Sequence, residues 1–184
     1  MLLSSIFHRP PHTEDTAAFV ADLSISGISG TVLTHANDPI AYSLASIGWN
    51  ARCAFSPAAF VRASSVEDVS KAVQTAAKYG IPVQARSGGH SFGGYGLGGQ
   101  NGALVVDLSN LNEVSYDPQT QLATIGGGAV LGRITEELDK HSVTFPHGTC
   151  PQVGIGGHAT IGGCVAVRHR PNTNRAYLSA VRAS

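Results

Sequence analysis

The chain has 184 residues, of which 13% are charged, and its 12 Lys and Arg balance its 12 Asp and Glu. A chain of this length buries the core of one domain, or of one domain and a fragment of another. The sparse, balanced charge offers no basic surface, so we expect neither nucleic acid nor anionic lipid as a partner. No apolar run approaches the length of about 18 residues that a membrane span needs, so we expect no membrane insertion.

The amino terminus and the cysteines do not indicate a compartment. The apolar run within residues 1–7 is too short for a signal peptide and lacks a small-residue cleavage site, so no targeting signal is predicted. Cys53, Cys150 and Cys164 are an odd number without a repeated spacing, which argues against a disulfide framework. We expect Cys53 to be a small buried apolar residue.

The first part of the chain predicts short elements. These are a helix over 16–23, a strand over 31–34, a helix over 38–44 and irregular chain over 49–57. Thr13 followed by two acids starts the first helix, and Asp38 followed by proline starts the second. We expect the first helix to pack beneath the domain that follows.

A β-α-β unit comes next. Apolar residues predict strands over 60–63 and 81–85. The helix between them begins after Ser65, ends at Gly80 and carries an apolar series at helical spacing, namely Val66, Val69, Val73 and Ala77. The unit predicts a parallel pair of strands. Its second strand delivers the following loop at its carboxyl end, where such sheets bind ligands.

The rest of the chain predicts a more antiparallel half, which makes the fold class α+β. Strands are predicted over 103–107, 113–116 and 121–125 and a helix over 130–140, after which residues 143–145 lead toward Cys150. The turn between the second and third of these strands makes them a hairpin.

Two glycine-rich stretches stand apart from this pattern. In residues 86–99, seven of fourteen are glycine, a density that costs chain entropy and is typical of a loop that a ligand approaches closely. Successive N–H groups in such turns form a nest for a phosphate, and Arg86 stands at its entrance. His90 lies among these glycines as a nucleophile. The second stretch, residues 147–163, contains Cys150 as its reactive residue, and we expect the two stretches to form halves of one site.

Three ordered motifs carry a family resemblance over roughly residues 55–163. They are Arg-Ser-Gly-Gly-His-Ser from Arg86, Val-Val-Asp-Leu-Ser from Val105, and Gly-Thr-Cys-Pro-x-Val-Gly-x-Gly-Gly-His from Gly148. Together they resemble the FAD-binding, PCMH-type domain of the vanillyl-alcohol-oxidase flavoproteins, in particular the branch of the berberine-bridge-enzyme and glucooligosaccharide oxidases. The resemblance implies a PCMH-type fold with a small parallel β-α-β subdomain, a more antiparallel subdomain and an incomplete carboxyl-terminal end.

The resemblance assigns both reactive residues to covalent attachment of FAD. It implies one bond from His90 to the 8α-methyl group of the flavin and a second from Cys150 to flavin C6. Val153 matches the family position that governs access of dioxygen, where valine is typical of oxidases, and His158 would donate a hydrogen bond near the ribityl chain and the pyrimidine edge. The other implied cofactor contacts are Arg86, Ser87, Gly88, Gly89, Ser91, Asp107, Ser109, Gly148, Thr149, Gly154, Gly157 and Gly162.

Two other kinds of site are weighed against this interpretation. Matches to the dinucleotide pattern G-x-G-x-x-G/A start at Gly94 and Gly154, but neither has the strand and helix context of a Rossmann site. Four residues of types that zinc accepts have an irregular spacing, so no metal site is predicted from His147, Cys150, His158 and Cys164.

Plain structural roles also stay open for the single residues. Asp107 and Ser109 are alternatively ordinary polar groups at a strand end, and Val153 is alternatively a packing residue. His90 is alternatively a core histidine and Cys150 an inert buried thiol.

The motifs divide the chain into a helical lead-in over 1–54, a partial FAD-binding domain over 55–163 and an atypical, poorly ordered tail over 164–184. The predicted function is an FAD-dependent oxidoreductase that oxidises an alcohol, or the hemiacetal of an oligosaccharide, with dioxygen as acceptor. The alternative is a non-catalytic remnant of a flavoprotein that lacks its substrate domain. No residue over 1–163 presents itself as the base, so we expect little turnover from this chain alone. Relatives of this kind are often secreted.

Overall fold

The computed structural model describes residues 13–162, 176–177 and 181–183. Its helices are α1 (Thr13–Ile25), α2 (Pro39–Ala45), α3 (Val66–Lys78), α4 (Leu131–Asp139) and α5 (Ile155–Ile161). Its strands are β1 (Thr31–Leu33), β2 (Ala59–Arg62), β3 (Val83–Arg86), β4 (Leu104–Asp107), β5 (Val114–Asp117), β6 (Leu122–Ile125), β7 (Val143–Thr144), β8 (Ala176–Tyr177) and β9 (Val181–Ala183). Within these residues, no helix is both long and apolar enough to cross a membrane.

The first sheet contains three parallel strands. Its order is β1-β2-β4-β3, in which β4 is parallel to both of its neighbours and β1 is antiparallel to β2. The strands β2 and β3 are parallel, as predicted, but they are not neighbours, because β4 lies between them. This strand is buried along its whole length, and a strand that is apolar on both faces takes the central position of a covered sheet. The loop after β3 still leaves from the carboxyl edge of the parallel strands.

Both faces of the first sheet are covered. Helices α1 and α3 pack on one face, in a core that includes Phe19, Leu23, Val61, Ala72, Leu104 and Val106. Helix α2 and the glycine-rich loop after β3 pack on the other face, in a core that includes Leu33, Tyr42, Phe60, Leu97 and Val105. Successive side chains of a strand point to opposite faces, so neighbours such as Phe60 and Val61 belong to different cores.

The second sheet is built on the hairpin of β5 and β6, as the sequence predicted. In its turn, the carboxylate of Asp117 accepts a hydrogen bond from the backbone N–H of Gln119 at 2.9 Å and from the hydroxyl of Thr120 at 2.7 Å. Helix α4 packs beside the hairpin through its buried residues Leu131, Ile134 and Leu138. The combination of a mostly parallel sheet with this antiparallel hairpin confirms the α+β class.

Two short strands near the end of the chain pair with earlier strands. The backbone of β9 is parallel to β6, and that of β8 is parallel to β7. Both strands fall within residues 164–184, which we expected to be an atypical tail. The rest of that segment lies outside the described residues, and the division of the chain at residue 163 stays a prediction.

Helix α3 meets the sheet through a face that includes Val69 of the predicted apolar series but not its other two valines. Val66 is 69% exposed and Val73 is 42% exposed, whereas the buried positions are Asp68, Ala72 and Ala76. The small side chains of the two alanines allow the helix to lie close to the sheet. The cap is the predicted one, since the hydroxyl of Ser65 accepts a hydrogen bond from the backbone N–H of Asp68.

Asp68 connects α3 to the loop before β1 and to the residues that follow β2. Its side chain is 1% exposed, and its carboxylate accepts hydrogen bonds from the backbone N–H groups of Ser29, Gly30 and Ser64 at 2.8 to 2.9 Å. The hydroxyl of Ser29 adds a further donor. Burial alone would raise the pKa of the Asp68 carboxyl, but these donors outweigh it and lower the pKa below its ordinary value.

We expect Asp68→Asn to lower the free energy of unfolding by about 2–3 kcal/mol at pH 7, because buried donors lose their charged acceptor. A carboxyl with a lowered pKa contributes stability in full above its ordinary pKa of about 4, and loses it as the pH falls through the lowered value. The difference in the free energy of unfolding between wild type and variant, measured in urea, should therefore become smaller below about pH 4. Glu67→Gln, at an exposed acid of the same helix turn, is the control. A difference that is independent of pH would contradict the charge assignment.

Candidate functional site

The two glycine-rich stretches touch each other through their backbones. A Cβ atom placed on Gly88 would lie 2.4 Å from the backbone nitrogen of Gly154, and one on Gly154 would lie 2.1 Å from the backbone nitrogen of Gly88. Any side chain at either position would have to push the two segments apart. The contact therefore requires glycine on both sides, for reasons of space rather than of backbone conformation.

Ser87 completes this junction. Its hydroxyl donates a hydrogen bond to the carbonyl oxygen of Gly127 at 2.6 Å and accepts one from the backbone N–H of Gly156 at 3.4 Å. It thus links the end of β3 to the loop before α4 and to the first turn of α5. Ser87, which the family resemblance places among the cofactor contacts, is engaged in holding the two halves of the fold together.

Three charged residues lie side by side at the carboxyl edge of the first sheet. The strand register aligns Arg62 of β2 and Arg86 of β3 with Asp107 of β4. Arg86 donates to Oδ2 of Asp107 at 2.7 Å and to the carbonyl oxygen of Ala45 at 2.7 Å. Its guanidinium also lies 5.0 Å from the ring centroid of Phe60. Arg86 begins the loop, as expected, but the protein already uses two of its donor nitrogens.

The carboxylate of Asp107 is the buried centre of this row. The residue is 4% exposed, and its Oδ1 accepts a hydrogen bond from the backbone N–H of Ser109 at 2.9 Å. Burial by itself raises the pKa of the Asp107 carboxyl. The hydrogen bond and positive charge of Arg86 outweigh it, with help from Ser109, and the pKa lies below its ordinary value. Asp107 is therefore an ionised partner of Arg86.

Arg62 is a residue of this site that the sequence analysis missed. Its Nε lies 3.8 Å from Oδ2 of Asp107, beyond hydrogen-bond distance, and this buried nitrogen has no hydrogen-bond partner among the described residues. Two guanidinium groups thus share one carboxylate, which leaves an excess of positive charge. The available signal was its position, since a charged residue at the last position of a parallel strand lies at the edge where such sheets bind ligands.

These residues line a cavity of about 720 Å³. Its walls come from α2, from the sheet edge and from the loop after β3, and they include Trp49, Arg62, Arg86, His90, Asp107 and Ser109. Gly88, Gly89 and Ser91 of the first stretch also face it. Of the described residues, none from the second stretch lines this cavity, so Cys150 lies outside its walls.

His90 lies on the cavity wall against an aromatic ring. Its imidazole is stacked on the indole of Trp49, with ring centroids 4.0 Å apart and an angle of 20° between the ring planes. Gly89, immediately before it, has a φ of 70°, a left-handed conformation that favours glycine. The sequence placed Trp49 in irregular chain and gave no indication of this contact.

The second stretch contains a helix that the sequence did not predict. Gly154 forms a bridge with Val130 and is followed directly by α5. Ile155 of this helix is buried in the core of the second sheet, where Val153 also packs. The packing role weighed for Val153 is therefore present in the structure.

The reactive groups of the second stretch have local partners. Cys150 is half-buried with a free thiol, which donates to Oε1 of Gln152 at 3.3 Å. The backbone N–H of Gly148 donates to Nε2 of His158 at 3.2 Å, which leaves Nδ1 of that ring as the donor. Thr149 is exposed. Gly162 ends α5 with a φ of 89°.

Cys53, expected to be buried, is half-buried and free. Among the residues that the structure describes, no three His, Cys, Asp or Glu side chains come together as a metal site. Cys164, a member of the metal set that was weighed, lies outside them.

The family profile described as FAD binding domain matches residues 57–183. The chain belongs to this FAD binding domain family. The match confirms the resemblance drawn from the three motifs, and with it the PCMH-type fold.

Similar proteins of this FAD binding domain are oxidoreductases. Xylooligosaccharide oxidase of Thermothelomyces thermophilus is 44% identical over 116 residues, which cover 62% of this chain and 23% of that protein. Berberine bridge enzyme-like 2 of Arabidopsis thaliana is 40% identical over 111 residues, which cover 58% of this chain and 20% of that protein. The chain thus spans about a quarter or less of the length of these relatives.

Solved structures give the same result. The xylooligosaccharide oxidase of Myceliophthora thermophila C1 in complex with xylobiose matches with a TM-score of 0.71 and 37% identity, over 77% of this chain and 29% of that one. A glucooligosaccharide oxidase of Acremonium strictum, described for its 6-S-cysteinyl, 8α-N1-histidyl FAD, matches with a TM-score of 0.65 and 34% identity, over 78% of this chain and 29% of that one.

The glycine junction gives a test with a matched control. We expect Gly154→Ala to lower the free energy of unfolding by about 3 kcal/mol, the upper end of what overpacking costs, because the new Cβ would overlap backbone atoms of Gly88. Gly157→Ala, where a Cβ meets nothing within 4 Å, should leave stability unchanged or raise it by up to about 1 kcal/mol. Urea unfolding of both variants measures the difference. Equal stabilities would show that the two stretches do not meet as described.

Proposed function

We propose that the chain holds FAD covalently through His90 and Cys150, as the cofactor-binding part of an oxidase that acts on an alcohol or on the hemiacetal of an oligosaccharide. The observation that carries the proposal of FAD binding and of the bond to His90 is the cavity at the carboxyl edge of the first sheet. It brings a nucleophilic imidazole, a glycine-rich loop and an arginine with an unpartnered buried nitrogen to one wall. FAD combines an anionic diphosphate with a ring system that such a nucleophile can attack.

The residues present fit the cofactor. The excess positive charge of the row Arg62, Asp107 and Arg86 favours a diphosphate, and the Arg62 side chain is 42% exposed. The glycines of the loop leave backbone N–H groups accessible without side chains in front of them. A volume of about 720 Å³ lies in the range of ordinary small-molecule pockets. We assign the loop from Arg86 to Ser91 and the edge residue Ser109 to this contact.

The proposal of two covalent bonds rests on the presence of both His90 and Cys150. Both are the residue types joined to FAD in the Acremonium strictum enzyme named above, and Cys150 has a free thiol. Each bond replaces one hydrogen of the flavin by the nitrogen or sulfur of the residue. Two protons and two electrons leave per bond, and dioxygen takes them up as hydrogen peroxide. We propose that the second stretch reaches the flavin edge through Cys150, with Gly148, Thr149, Gly157, His158 and Gly162 around it.

When bound, FAD supplies the acceptor for a hydride from the substrate and passes the electrons to dioxygen. The protein orients this group and tethers it, so that it is retained in an open cleft. We assign Val153 to the control of dioxygen access and the Nδ1 donor of His158 to the pyrimidine edge, where a donor stabilises the charge that develops on reduction.

A second candidate function is a non-catalytic flavin-binding remnant. It is favoured by the bonds that the carboxylates lining the cavity already make. Among the described residues there are two of these, Asp38 and Asp107. Asp38 caps α2 by accepting from the backbone N–H of Ala41 at 2.9 Å, and Asp107 is paired with Arg86. Each of these two carboxylates already has a structural role, so we propose that the base of the oxidase is neither of them.

Covalent attachment is tested on the purified chain after incubation with FAD under air. We expect the colour to remain with acid-precipitated protein and the mass to rise by that of FAD less two hydrogens for each bond. Cys150→Ser should gain the mass of FAD less two hydrogens, as expected for one bond. The double variant with His90→Gln should lose covalent flavin altogether. Cys53→Ser, at the other half-buried free thiol, is the matched control and should behave as wild type. Colourless wild-type precipitate would refute the proposal.

Among the described residues, both carboxylates that line the cavity have structural roles, which predicts low turnover. With FAD and a panel of xylo- and glucooligosaccharides, peroxide formation by this chain should be at least about 100-fold slower than that of a full-length oxidase, because general-base catalysis typically contributes about 10²–10⁴-fold. The Thermothelomyces thermophilus enzyme serves as the positive control. A rate equal to that of the control would show that the chain carries its own base.

A further inference from the structure

Within the part of the chain that the structure describes, the imidazole of His90 is held by an aromatic face and not by hydrogen bonds. Its ring lies 4.0 Å from that of Trp49, at an angle of 20°. Among the described residues, the structure gives no hydrogen bond to either ring nitrogen of His90. A histidine in a glycine-rich loop turns readily about its side-chain bonds, so the indole is the described group that fixes the plane of this ring.

Stacking suits a residue that has to form a bond through a ring nitrogen. The two nitrogens lie in the plane of the imidazole, and a stacked partner covers only one face. Stacking therefore leaves both in-plane lone-pair or N–H positions unoccupied by the indole, whereas a hydrogen bond to a side chain would occupy one of them. Trp49 is itself 56% exposed and lines the same cavity, so its ring forms part of the wall on which His90 lies.

Trp49 belongs to a segment that contacts the glycine-rich loop after β3 at several points. We call residues 48–55 the clasp segment. The side chain of Asn50 donates to the carbonyl oxygen of Phe92 at 2.7 Å. A Cβ on Gly94 would lie 2.8 Å from Cβ of Cys53 and from Cε2 of Phe55, so that glycine lets the loop sit directly on the clasp segment. The stack is thus one contact of a larger interface that holds the loop.

We propose that Trp49 is a positioning residue for His90, which holds the imidazole plane in one orientation so that a ring nitrogen faces the cavity. Its role in attachment of FAD rests on the proposed function above. The hold on the imidazole itself is a property of the free chain. An aromatic pair of this kind is expected to change a rate or a population about two- to tenfold.

The stack is tested in the free chain by NMR of ring-labelled histidine. Trp49 is the only tryptophan of the chain, and the His90 signals are identified by their loss in His90→Gln. In wild type, the ring protons of His90 should be shifted upfield by the indole ring current. In Trp49→Ala the shift should vanish and ¹³C relaxation should show a more mobile ring. Trp49→Phe should restore part of both effects. Phe92→Ala, at a 77% exposed aromatic residue of the same loop, is the control and should change neither.

The second measurement is the rate of covalent FAD attachment in a Cys150→Ser background, where only the bond to His90 counts. Trp49→Ala should slow attachment about two- to tenfold while FAD binding at equilibrium changes less, and Trp49→Phe should recover most of the rate. A wild-type spectrum without the upfield shift, or a His90 ring equally ordered in Trp49→Ala, overturns the proposal. So does attachment at an unchanged rate. If wild type attaches no FAD, the proposed function fails, and the NMR result alone decides whether Trp49 holds His90.

Discussion

The fold depends on one place where two backbones meet without a side chain between them. Gly88 follows β3 of the first sheet, and Gly154 precedes α5, whose Ile155 is buried in the core of the second sheet. Their contact, with Ser87 bonded across it, therefore joins the two halves of the molecule. The glycines on both sides are needed because the segments approach within the space of one carbon atom. The relative position of the two candidate attachment residues is set by this junction.

The polar groups around the cavity fall into those that hold the fold and those that are available to a ligand. Arg86 and Asp107 are paired, and Ser87 links carbonyl and amide groups of other segments. Among the described residues, Nε of Arg62 has no hydrogen-bond partner, and His90 is held by its ring face alone. The motif that starts at Arg86 looks like one binding loop in the sequence, but its residues have two different roles in the structure. Its first two residues hold the fold together, and its histidine faces the cavity.

Most individual elements could be predicted from the sequence, because periodicity and capping act over a few residues. The cap at Ser65, the hairpin turn at Asp117 and the loop after β3 are examples. The position of β4 between β2 and β3 could not, since strand order depends on which strand is covered on both faces. The row that joins Arg62 to Asp107 spans distant parts of the chain, and so does the stack of Trp49 on His90. Helix α5 was missed because its glycines disfavour a helix locally, while burial of Ile155 favours it.

The position of β4 has a consequence for the way in which the domain is made. This strand follows the glycine-rich loop in the chain, yet it lies between the two strands that precede the loop. A chain growing on the ribosome therefore exposes β2, α3, β3 and the loop before it contains the strand that joins them. The junction with Gly154 has to wait for still later residues. All described residues that line the cavity lie between Thr31 and Ser109, so its walls can come together only once β4 and Ser109 have been made, although the residues on either side of β4 in the sheet are present earlier.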